Sequence, residues 1–262
     1  MDMTESAPQP PEDQQSPLQN GDATALRTLC AQLHEKVNSF LNEDVKTERL
    51  RATQAQTRRS LAVIQEALDR YELSSLSLSY NGGKDCLVLL ILYLSVLSTH
   101  PQLPALLPSI YIPPLHPFPP VDAFVASSSS HYNLSLHRYP HPSMRIAFSS
   151  YLADNPHIRA ILVGTRRTDP HGANLTFFDE TDRAWPKFMR VHPVIDWHYA
   201  EVWAFLRHLD VGYCELYDVG YTSLGGVGDT HPNPALRVEG EEGRYRPAYE
   251  LVEDGEERLG RV

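Results

Sequence analysis

Positive charge is what this 262-residue chain lacks most: 23 Lys and Arg stand against 33 Asp and Glu, a formal net charge of −10. That balance argues against a broad nucleic-acid or membrane surface, which needs clustered cations. It leaves room for a phosphate ligand, which needs only a few Arg or Lys side chains. Cysteine is scarce as well. Cys30, Cys86 and Cys214 show no metal-ligand spacing and no disulfide framework, a pattern suited to a reducing compartment. No apolar run approaches the ~20 residues of a membrane span. The longest, Cys86 to Leu97, reads as a buried core helix. The opening MDMTESAPQPPEDQQ is acidic and polar, unlike a signal or transit peptide. The expectation is a cytoplasmic protein with neither nucleic-acid nor membrane partners.

Two common nucleotide motifs are absent. Walker A requires four residues between its first glycine and Gly-Lys-Ser/Thr, and the dinucleotide pattern requires G-x-G-x-x-G; neither occurs. What does occur is Ser79-Tyr80-Asn81-Gly82-Gly83-Lys84-Asp85, between the alternating Leu76, Leu78 and Tyr80 and the unbroken apolar run from Cys86. That order reads as strand, glycine turn and buried helix. Adjacent glycines allow positive φ and close approach of the backbone to a ligand. A helix opening at Lys84 offers free N–H groups and a positive dipole end, the makings of a phosphate cradle. A strand-to-helix turn with no ligand is the plainer reading, and Gly-Gly alone would not displace it. The loop resembles the PP-loop of the ATP pyrophosphatases, with Asn81 where that pattern has its serine and Cys86 at its second hydroxyl position.

Residues 1–22, rich in Pro, Gln, Glu and Ser, are expected to be a disordered tail. Residues 23–72 carry helical periodicity (Leu26, Leu29, Leu33, Val37, Phe40, then Leu50, Leu61, Ile64, Leu68) and predict two helices, the second long, with Asp22 or Thr24 capping the first. From 73 to 210 the pattern alternates. Strands are expected near 75–80, 109–112, 133–138, 159–163 and 191–194. Helices are expected at 84–98, 121–130, 143–154 (capped by Ser143) and 198–209 (capped by Asp196). This predicts an α/β fold on a mostly parallel, twisted, Rossmann-like sheet whose ligand edge is the carboxyl ends of the strands. The phosphate loop, the loop stiffened by Pro113, Pro114, Pro117, Pro119 and Pro120, and the loop after Val163 all fall at that edge. Residues 211–262 have weak periodicity, so the segment is either frayed or wrapped over a site.

A second constellation follows the apolar Ile161-Leu162-Val163. In Gly164-Thr165-Arg166-Arg167-Thr168-Asp169-Pro170 two arginines at the ligand edge suit bidentate pairing with phosphate oxygens. Asp169 suits a ring N–H or a metal-bound water. A solvated turn with an Arg–Asp surface pair fits the same residues equally. In Trp185-Pro186-Lys187-Phe188-Met189-Arg190 basic residues interleave with aromatics, as a flat phosphorylated ligand would require. Trp185 and Trp197 fit a core equally, and Trp203 is expected there. The stretch Tyr221 to Thr230 reads as a second anion nest or a flexible turn. By composition alone the terminal Arg258 and Arg261 are a solvated tail.

Taken together and in order, these segments and the terminal Glu257-Arg258-Leu259-Gly260-Arg261 resemble the eukaryotic FAD synthases of the fungal single-domain type, over roughly residues 60–262. The resemblance implies an FMN adenylyltransferase on a fold related to PAPS reductase, with ATP and FMN as substrates, FAD as product and Mg²⁺ as cofactor. It implies that Asn81, Lys84, Asp85 and Arg261 carry the reaction, Asp85 also binding the metal. Ser79, Tyr80, Gly82, Gly83 and Arg258 would hold ATP phosphates. Gly164, Arg166, Arg167, Asp169, Trp185 and Arg190 would belong to the flavin site. Segment 211–262 would cover the active site, its arginines folding back over the phosphates. A monomer is expected, with flavin-accepting apoproteins as further partners. The competing readings are a PAPS reductase or another PP-loop pyrophosphatase, and a catalytically silent flavin or nucleotide module.

Overall fold

The computed structural model describes residues 23–262. The expected disordered tail over 1–22, and Asp22 as a cap, lie outside the described residues. Helices α1 (Ala23–Asn42) and α2 (Glu48–Arg70) come first. Then follow β1 (Leu76–Ser79), α3 (Lys84–Leu97), β2 (Leu107–Tyr111), α4 (Pro119–His131), β3 (Leu134–Arg138), α5 (Met144–Asp154), β4 (Ala160–Leu162), β5 (Phe178–Glu180), β6 (Met189–Val191) and α6 (Tyr199–His208). The sheet order is β3-β2-β1-β4-β6-β5. All pairs are parallel except β5 with β6, which is antiparallel at the edge.

Period-two alternation sends strand residues to two faces. Leu76 and Leu78 join the main core, while Ser77 faces the other way and its hydroxyl meets the Tyr151 hydroxyl at 2.7 Å. On that second face Phe148 and Tyr151 of α5 pack with Ile110, Ile161 and Phe188. Helix α3 lies on the first face and is covered in turn by α1, α2 and α6. It therefore has almost no solvent side, which explains an apolar run with no polar stripe. Trp203 is buried as expected, and so is Trp197, whose indole N–H donates to the Ser60 hydroxyl at 2.8 Å.

Several boundaries differ from expectation. The expected 191–194 strand is β6, and it ends at Val191. Pro193 has no N–H for a ladder, and the chain turns there, with the Ile195 N–H on the His192 carbonyl at 3.2 Å. The edge strand β5 is too short for its alternation to be visible. Thr24 lies inside α1, not at its cap. Ser143 holds the N-cap position of α5 without a side-chain hydrogen bond. Asp196 does not cap α6: its carboxylate pairs with Arg59 at 3.1 Å and Arg167 at 2.7 Å, and His198 occupies the cap. Among the described residues no helix is long and apolar enough to cross a membrane.

Candidate active site

From β1 the chain crosses through α3 to β2 on one side, yet β4 lies on the other. The crevice between the carboxyl ends of β1 and β4 is therefore the topological switch point, where ligands bind in such sheets. A cleft of about 690 Å³ opens there. Its walls are the phosphate loop, the loop after β4, the proline loop after β2 and the C-terminal segment.

Gly82 sits at φ +71°, and a Cβ there would lie 2.8 Å from the Val125 side chain, so only glycine fits this turn. Gly83 is the N-cap of α3 with an ordinary φ of −70°. Two of the amides expected to be free are engaged. The Gly83 N–H donates to Asn81 Oδ1 at 2.9 Å, and the Lys84 N–H donates to the Tyr217 hydroxyl at 3.0 Å. Exposed Asn81 and its neighbour Ser79 line the cleft, whereas Tyr80 is buried with its hydroxyl 2.7 Å from that of Ser128.

Behind the cleft lies a buried ion cluster. Asp85 Oδ1 is 2.8 Å from Arg166 Nε and Asp85 Oδ2 is 3.0 Å from Lys84 Nζ. Glu257, from the far end of the chain, accepts from Lys84 through one oxygen and from Arg166 through the other. Asp169 Oδ2 accepts the Arg166 main-chain N–H at 2.8 Å, which closes the β4 loop on itself. Burial alone would raise the Asp85 carboxyl; Arg166 and Lys84 outweigh it and hold Asp85 below the usual carboxylate range. Burial would likewise lower the Lys84 ammonium, but Asp85 and Glu257 raise it. Asp169, which faces the cleft, is raised by burial and by the nearby Asp85 charge. Burial, with Asp85 beside it, pushes the Cys86 thiol up to about 12, so this cleft-lining sulfur is no nucleophile at neutral pH.

The C-terminal segment is wrapped, not frayed. The Val227 N–H donates to the His116 carbonyl at 2.8 Å, which joins Tyr221–Thr230 to the proline loop. The last residues pair with 229–231 through His231 N–H to the Gly260 carbonyl at 2.8 Å and Val262 N–H to the Asp229 carbonyl at 3.1 Å. Arg258 and Arg261 thereby line the cleft, the latter 3.3 Å from an Asp229 oxygen and directly over Gly225.

The expected residues divide accordingly. Ser79, Asn81, Gly83, Lys84, Asp85, Gly164, Asp169, Arg258 and Arg261 meet at the cleft. Tyr80, Gly82 and Arg166 stand behind it as support. Arg167, Trp185 and Arg190 lie away from it. Arg167 pairs with Asp196 and donates to the Leu175 carbonyl at 2.8 Å, Trp185 packs on Phe148, and Arg190 donates to the Glu180 carbonyl at 3.1 Å. Tyr111, His141, Met144, Tyr217 and Glu257 are lining residues to which the sequence assigned no role. Nothing in local spacing brings Glu257 to Lys84; only its place beside Arg258 hinted at the site.

Asp85 as a metal ligand fits this geometry poorly. Both of its oxygens face cations, and among the described residues no group of three His, Cys, Asp or Glu side chains could hold a metal. The described side chains do not by themselves form a protein-held Mg²⁺ site.

A phosphate loop at the switch point of a mostly parallel sheet defines the class, and the family model described as the phosphoadenosine phosphosulfate reductase domain matches residues 75–149 and 145–232. Within that class the likeness narrows. The chain is 41% identical over 234 residues to a probable FAD synthase of Schizosaccharomyces pombe, covering 87% of each. Its structure resembles yeast FAD synthetase in complex with FAD (TM-score 0.85, 31% identity, 90% of this chain and 99% of that one). It also resembles Candida glabrata FMN adenylyltransferase in complex with FAD and inorganic pyrophosphate (TM-score 0.84, 30% identity, 90% and 99%). The chain belongs to the FAD synthase family, whose members are FMN adenylyltransferases.

Proposed function

We propose that this chain transfers AMP from ATP to the phosphate of FMN, giving FAD and pyrophosphate. The observation that carries the reading is a single cleft at which the phosphate loop, the Gly164–Pro170 loop and the terminal arginines converge. An FMN phosphate oxygen attacks the α-phosphorus of ATP. The bond from that phosphorus to the α–β bridging oxygen breaks, and the electron pair leaves with pyrophosphate. A phosphate monoester is already anionic near pH 7, so no base is needed and the protein's task is alignment and charge neutralisation. Asn81 orients the α-phosphate, Arg258 and Arg261 offset the repulsion between the two anions, and Asp169 accepts from the flavin edge. In this reading Asp85 works through Arg166 and Lys84, holding the loop in shape. Arg167, Trp185 and Arg190 shape the flavin side from outside the cleft.

The site lacks what a PAPS reductase needs, a reactive cysteine: all three cysteines are buried and free, and burial raises each thiol. A cytoplasmic monomer that passes FAD to apoproteins is part of the same proposal. The test is incubation with FMN and MgATP, following FAD by chromatography and pyrophosphate by an enzymatic assay. Stoichiometric FAD and pyrophosphate are expected. Tight FMN binding without pyrophosphate would point instead to a silent flavin module.

A further inference from the structure

Leaving His192 aside, the charged side chains buried among the described residues are Lys84, Arg166, Glu201 and Glu257. Three of these four meet in one cluster. Buried ion clusters cost desolvation that apolar packing would avoid, so they are weak devices for stability alone. This one joins three segments that no regular element connects: the start of α3, the loop after β4 and the tail.

Resting on the reaction proposed above, we propose that Glu257 is the positioning residue that fixes Arg258 and Arg261 at the phosphate loop, with Lys84 acting as its counter-ion and not as a phosphate ligand. Glu257 is 5% exposed and immediately precedes Arg258. Its carboxylate bridges Lys84 and Arg166, and its main-chain carbonyl accepts from the Thr222 hydroxyl at 2.6 Å. Lys84 is 2% exposed, and its ammonium is shared among Asp85, Glu257 and the face of the Tyr199 ring at 5.1 Å. Lys84 thus borders the cleft while its charge is already spent inside the protein. The exposed Arg258 makes no ion pair among the described residues; it is held through its main chain, by the Arg261 N–H on its carbonyl at 2.9 Å on one side and by the anchored Glu257 on the other.

The test uses the full chain and its Glu257→Gln variant. The KM for ATP is expected to rise about tenfold or more, the loss of a charge-assisted contact at the phosphates. Calorimetric binding of inorganic pyrophosphate should weaken by a similar factor, while the KM for FMN changes less. Trypsin cleavage after Arg258 should quicken well below the melting temperature, and Glu257→Asp should restore part of the affinity. Adding Lys84→Met to Glu257→Gln should cost little more than the larger single effect. ATP KM and pyrophosphate affinity within about twofold of wild type would sink the proposal, as would a Lys84→Met factor that multiplies in full. If Glu257→Gln does not fold, Thr222→Val loosens the same residue without removing a charge. About threefold weaker pyrophosphate binding is then expected, and unchanged binding would overturn the idea. Failure of the wild-type chain to make FAD would refute the reaction alone, because pyrophosphate binding and tail cleavage still report on Glu257.

Discussion

Gly225→Ala should disable Arg261 while leaving residue 261 an arginine. An ideal Cβ at Gly225 would lie 2.2 Å from Arg261 Nη1 and 2.4 Å from both Cζ and Nη2. Ordinary contact is ~3.5–4.0 Å, so the guanidinium must move by about 1 Å or more. Gly225 is not among the glycines at positive φ, so alanine brings no backbone strain. The clash falls on the far end of a flexible side chain, and the fold should lose little or even gain about 0.4–1 kcal/mol from a stiffer unfolded chain. Displacing a charge-assisted contact from the reacting phosphates costs about 1.5–3 kcal/mol, which is roughly a 10- to 150-fold fall in kcat/KM for ATP. Pyrophosphate release gives the rates, and a thermal melt confirms the fold. Arg261→Ala should fall in the same range, and the double variant should be little worse than either, because both remove one group. Wild-type kcat/KM in Gly225→Ala, or losses that multiply in the double variant, would refute the reasoning.

Other consequences concern the cluster and its tether. Arg166→Met leaves Lys84 as the one buried cation shared by Asp85 and Glu257, one charge too few for the two carboxylates, and should destabilise the chain by about 3–5 kcal/mol in denaturant unfolding. Because Asp85 titrates below its ordinary value in the folded state, its stabilisation is present above pH ~4 and is lost as the pH falls through the depressed value. Asp85→Asn should therefore flatten the acid limb of a stability–pH curve. At the α6 cap the His198 ring meets Asp254, which also accepts the Tyr199 N–H at 2.6 Å and so tacks the tail to the helix. The hydrogen bond to Asp254 raises His198 above its usual range, against a smaller effect of burial. Its contribution is complete below pH ~6.5 and fades as the pH rises through the raised value. The melting temperature lost in His198→Ala should therefore be larger at pH 6 than at pH 9.

Legibility in the sequence followed the range of each interaction. The αβ order, the phosphate turn and the buried α3 could be read because alternation, glycine and an unbroken apolar run are local signals. The three-residue β5 and the α6 cap could not. A strand that short has no period to detect, and Asp196 was drawn from its capping position by Arg59 and Arg167, 137 and 29 residues away. The same limit applies to the site. Asn81 and Asp169 stood out in their motifs, Arg261 gained a role only through the resemblance, and Glu257 looked like one more acid in a charged tail.

By itself the sequence determined the class of sheet, the edge at which a ligand binds and most of the side chains offered there, because backbone turns and side-chain periodicity are set within a few residues. Only the tertiary structure decided where charge is spent. It turned Lys84 and Arg166 inward to Asp85 and Glu257, left Arg258 and Arg261 at the cleft, and removed Arg167, Trp185 and Arg190 from its walls. The physical reason is that a buried charge must be matched by another buried charge, and which two meet depends on how segments 173 residues apart are packed.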